Sequence, residues 1–65
     1  QGDYAHALEY YQKALAIRKQ VYGESHPDVA TSYNNIGLVY DDLGEYNQAL
    51  EYYQKALDIF QCFSD

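Results

Sequence analysis

Tyr33-Asn34-Asn35-Ile36-Gly37-Leu38-Val39-Tyr40 is the stretch of this 65-residue chain that has no second copy. On either side of it lies one copy of another segment, Gly2 to Ile17 (GDYAHALEYYQKALAI) and Gly44 to Ile59 (GEYNQALEYYQKALDI). The copies are offset by 42 residues and agree at 12 of 16 positions. A fixed period of this size marks stacked supersecondary units. The unique stretch is then a helix held between two equivalent helices.

The flanking residues set the helix limits. Asp3 is placed to cap a first helix, and its apolar positions Tyr4, Ala7, Leu8, Tyr11, Ala14 and Leu15 recur at steps of three and four. That helix is expected over about 4–22, stopping at Gly23. Ser25 or His26 is the expected cap of a second helix, with Pro27 in its first turn, over about 27–43. A third helix repeats the first over about 46–61, with a stripe of Tyr46, Ala49, Leu50, Tyr53, Ala56 and Leu57. Gly37 falls well inside the second helix, where an exposed glycine costs about 1 kcal/mol against alanine. A close helix approach explains it, and Ala49 is the small residue expected to fill that contact. The fold class is therefore all-α, an antiparallel helix-turn-helix solenoid formed by residues 1–65.

Composition narrows the function. Four basic and ten acidic residues give a net charge of −6. Nucleic acid and anionic membranes both require a basic face, so neither is an expected partner. No apolar run approaches the roughly 20 residues of a membrane span, and no signal-peptide pattern opens the chain. The single cysteine, Cys62, rules out an internal disulfide and points to an intracellular, cytoplasmic setting. The chain also begins without Met, as a piece of a longer protein would. A chain of this size buries only about 60% of its unfolded surface, so regular helix packing or association has to supply stability. His6, His26 and Cys62 lack metal-ligand spacing, and no phosphate loop or catalytic triad is visible, so no catalytic residue, metal or cofactor is assigned.

The residue pattern resembles the tetratricopeptide repeat family. Tyr33-x-x-Ile36-Gly37-x-x-Tyr40 stands where that family has Trp-x-x-Leu-Gly-x-x-Tyr, and Ala49-x-x-x-Tyr53 with Ala56 stands where it has Ala-x-x-x-Phe and a following Ala. Gly44-x-Tyr46 matches the turn between paired helices, while Gln61 replaces the proline that often ends a repeat. The 42-residue period exceeds the usual ~34. The extra residues fall between Arg18 and His26. With Tyr22-Gly23-Glu24-x-His26-Pro27-Asp28, this longer form is similar to the repeats of kinesin light chains. The chain then holds the second helix of one repeat and one whole repeat.

By that resemblance the chain is a non-catalytic scaffold that binds a protein or peptide segment in a concave groove. The groove lining is Thr31, Asn34, Asn35, Leu38, Asp41 and Asp42, which also share one helical face in this sequence. Asparagine amides both donate and accept, so they can pair with a peptide backbone of any sequence, and the aspartates favour a basic ligand residue. The bland alternative is that these are ordinary solvated side chains. Family members that hold C-terminal carboxylates use lysine and arginine there. The second helix has neither, which argues against that mode. A second reading is self-association, by end-to-end stacking or helix exchange into a homo-oligomer through Tyr10, Tyr52, Phe60 and Phe63. The other tyrosines fall mainly at core spacing.

Overall fold

The computed structural model describes residues 3–63, the side chain of Phe63 excepted. Three helices follow one another: α1 (Tyr4–Tyr22), α2 (Pro27–Leu43) and α3 (Tyr46–Phe63). α1 and α3 each pack along α2, and their own backbones stay apart. The result is a slab of 38 × 22 × 13 Å, a single helix layer thick.

Short-range chemistry fixes each helix end. Asp3 caps α1: its carboxylate accepts from the His6 amide at 3.2 Å, and the His6 ring closes back on the same carboxylate. Gly23, at φ +88°, ends α1 with its N–H on the Lys19 carbonyl at 3.0 Å. His26, rather than Ser25, caps α2, its Nδ1 accepting from the Asp28 amide at 3.1 Å. The Tyr22 ring stacks on the His26 ring at 4.3 Å, tying the end of α1 to that cap. Pro27 follows in the first turn, where its missing N–H leaves nothing unpaired. Gly44 sits in the left-handed region. Its N–H donates to Asp41 O at 3.0 Å and the Glu45 N–H to Tyr40 O at 2.9 Å, the paired bonds of a Schellman cap.

The core belongs to α2. Val29, Ala30, Ser32, Ile36, Gly37 and Val39 are buried, whereas α1 buries no residue fully. From α3 the buried side chains are Ala49, Ala56 and Ile59. Leu15 of α1 and Tyr33 pack against the cluster of Val29, Ala30, Ala56 and Ile59. A polar bond crosses from α1: Arg18 Nη1 donates to the buried Ser32 Oγ at 2.6 Å, and Ser32 in turn donates to Asp28 O at 3.2 Å.

Two features differ from the sequence expectation. The α3 stripe is split. α2 covers Ala49, Tyr52, Ala56 and Ile59, while Tyr46, Leu50 and Leu57 face outward. The neighbour of Gly37 is the Tyr53 ring, not Ala49. A Cβ at Gly37 would lie 2.8 Å from Tyr53 Cε1 and 2.9 Å from Cδ1. A flat ring needs a flat, side-chain-free seat, and the glycine provides it.

Gly37→Ala therefore sets a gain in helix propensity against a steric clash. The clash dominates if the ring is held, and stability falls by roughly 1 kcal/mol. In a Tyr53→Ala background the same change becomes stabilising. Urea unfolding of the four-member mutant cycle checks the change of sign.

Candidate functional site

The α2 face opposite the core carries all six groove positions. Thr31, Asn34, Leu38, Asp41 and Asp42 are exposed and Asn35 is half-buried. Helical register brings them together because the core side takes Val29, Ser32, Ile36 and Val39, leaving the other side to solvent. Thr31 is partly engaged, donating to Pro27 O at 3.2 Å. Leu38 is 49% exposed in the middle of this polar face, an apolar spot with Asn34 and Asn35 one turn before it and Asp41 and Asp42 one turn after.

The carboxylate end of the face acts on α3. Tyr53 has its pKa raised, first by partial burial and then by the negative charges of Asp41 and Asp42. The Tyr53 ring sits against Gly37 on the side of α2 that α3 covers, as its place in the core stripe leads one to expect, and the charges of Asp41 and Asp42 still reach its phenol.

The end-face positions do not form one surface. Tyr10 points outward on α1, its ring edge-on to Tyr11 at 5.7 Å. Tyr52 departs from the expectation: its ring stacks on Tyr40 at 5.6 Å and tilts against Tyr33 at 6.1 Å, inside the α2–α3 interface. The reason is register, because Tyr52 lies three residues after Ala49 and four before Ala56, in the middle of the face that α2 covers. Burial, followed by Tyr40, Tyr33 and Glu51, raises its pKa. Phe60 is 42% exposed, and the side chain of Phe63 lies outside the described ones.

A separate open cavity of about 250 Å³ lies between the α1–α2 connector and the end of α3, with Tyr33, Lys55 and Cys62 on its walls. It contains none of the groove positions. Among the described residues no group of histidines, cysteines and carboxylates is arranged to hold a metal ion. No described helix is long and apolar enough to cross a membrane.

A chain of stacked antiparallel helices with a polar, solvent-facing inner helix defines a helical repeat protein. The tetratricopeptide repeat family model matches residues 1–61, and the chain belongs to that family. Tetratricopeptide repeats are in general protein–protein interaction modules. Neither the curated proteins nor the solved structures yield a match to this chain.

Tyr53 supplies a titration test. Its proton is held more tightly in the folded state, so its contribution to stability is complete below the ordinary tyrosine value of about 10 and is lost as pH rises from there through the raised folded-state value. Tyr52 shifts in the same direction. Asp41→Asn with Asp42→Asn removes two of the causes and lowers the Tyr53 value toward the ordinary one. Tyrosinate absorbance at alkaline pH, read against Tyr53→Phe, measures the difference.

Proposed function

We propose that this chain is a non-catalytic scaffold module that holds an extended peptide along the outer face of α2. The observation that carries the reading is the combination of exposed Asn34, half-buried Asn35, exposed Leu38 and two acidic residues on one face. The asparagines pair with the peptide backbone, Leu38 takes an apolar side chain, and Asp41 and Asp42 select a basic one. No lysine or arginine lies in α2 to neutralise those carboxylates. With a net charge of −6, the whole chain also favours approach of a basic segment.

Self-association through the end faces is the competing reading. It is weakened by the position of Tyr52, whose ring is already stacked within the chain.

Selection of a displayed random-peptide library on the chain tests the groove. The enriched peptides should carry Lys or Arg, and Asp41→Lys with Asp42→Lys should weaken them by about tenfold, mostly at low salt. Asn34→Ala with Asn35→Ala should weaken peptides of every sequence. Retention of binding by both double variants would remove the groove reading.

A further inference from the structure

The open cavity of about 250 Å³ beside the α1–α2 connector takes its walls from three elements. Its apolar part is the buried Ile59 of α3 and the half-buried Tyr33 of α2. Lys55 and Asp58 join Ile59 on one face of α3, and Glu24 comes from the connector. Both signs of charge thus meet one small cavity, and they do not neutralise each other. Among the described residues only Asp3 and His6 form an ion pair. Lys55 stands four residues after Glu51, the favourable order for a helix pair, yet its ammonium lies over the Tyr33 ring, 6.0 Å from the centroid. Asp58 accepts from Gln54 Nε2, a neutral donor, at 3.1 Å. Packing of the repeat does not require Asp58. It is exposed, and its counterpart in the first copy is Ala16.

We propose that this cavity binds a small zwitterion, an α-amino acid with an apolar side chain. Its carboxylate meets the Lys55 ammonium, its ammonium meets Asp58 and Glu24, and its side chain covers Ile59 and the Tyr33 ring. The charges decide the class of ligand. A simple anion would face two carboxylates, and a simple cation would sit against Lys55. A molecule that carries both charges answers each wall, through charge-assisted bonds about twice as strong as neutral ones. The size agrees. The volume is below the roughly 300–1,000 Å³ of clefts that take drug-sized molecules, and a single amino acid is correspondingly smaller. The cavity contains none of the groove positions, so its occupation does not depend on Asn34 or Asn35.

L-leucine is the probe, titrated into the intact chain and read by amide resonances. Cys62, the one cysteine, is exposed on the same wall, so its alkylation by iodoacetamide reports occupancy independently. The expected result is saturable movement of the Lys55, Ile59 and Cys62 amides, with slower alkylation of Cys62 at saturation. Leucinamide lacks the carboxylate and N-acetylleucine lacks the ammonium, and each should bind at least about tenfold more weakly. Lys55→Gln and Asp58→Ala should each weaken leucine by about tenfold with helicity retained, since both side chains are exposed. Lys13→Gln, the equivalent change in the first copy, should have no effect. Absence of saturable movement overturns the proposal. So does N-acetylleucine binding as tightly as leucine, because the cavity then recognises a carboxylate alone, such as a peptide C-terminus supplies. Leucinamide matching leucine overturns it in the same way, in favour of a simple cation. Indifference to both Lys55→Gln and Asp58→Ala would place the ligand elsewhere and also overturn it.

Discussion

The seat of the Tyr53 ring on Gly37 is the contact on which the arrangement of α2 and α3 depends. Any side chain at position 37 would push the ring outward, since a Cβ there would fall 2.8 Å from it. With the glycine, the two helices close enough for Ala49 and Ala56 to be buried and for Tyr52 to lie between Tyr33 and Tyr40. The α2–α3 interface is thus built from small residues and flat rings. Flat rings supply large apolar area with few rotors to freeze, so close packing is reached at little cost in side-chain freedom. The same contact leaves the Tyr53 phenol within reach of the charges on Asp41 and Asp42, which help to raise its pKa.

Among the described helices α2 alone has neighbours on two sides, and burial follows from that fact. It holds most of the fully buried side chains, including a polar one, Ser32, whose hydroxyl is satisfied on both sides by Arg18 and the Asp28 carbonyl. α1, with one neighbour, buries nothing completely despite sharing most of its sequence with α3. Near-identical sequences therefore reach different burial because of position in the stack and not because of composition. This is how quasi-one-dimensional repeat folds divide their stability, into terms within units and terms between nearest neighbours.

The helices were readable from the chain because their punctuation is strong: Asp3, Gly23, Pro27 and Gly44 each act within a few residues. The solvent-facing side of α2 was readable too, since a 3.6-residue period separates Thr31, Asn34, Leu38 and Asp42 from Ile36. Three things were not. The burial of Val39 and Ser32 does not follow from a single apolar stripe, because such a stripe describes a helix with one neighbour and α2 has two. Tyr52 was placed at an end face, because α3 is apolar on two sides and sequence does not say which of them α2 covers. Ala49 was assigned to Gly37, because small residues were matched with small residues. A glycine equally suits a ring from the next helix, and register decides between them only once the helices are docked. His26 as the cap in place of Ser25 has the same character, since either side chain can accept the Asp28 amide and the stacking of Tyr22 on the imidazole favours one.

The small core carries a consequence for binding. The fully buried apolar side chains are Val29, Ala30, Ile36, Val39, Ala49, Ala56 and Ile59, and three of those are alanines. Cys62 is free and exposed, so no cross-link restricts the unfolded chain. In a domain this lean, any partner that recognises only the folded form adds its binding free energy to the stability of the fold. A peptide on the outer face of α2 would do so through the helix that already has a neighbour on each side, so its binding would steady the one element on which both α1 and α3 pack.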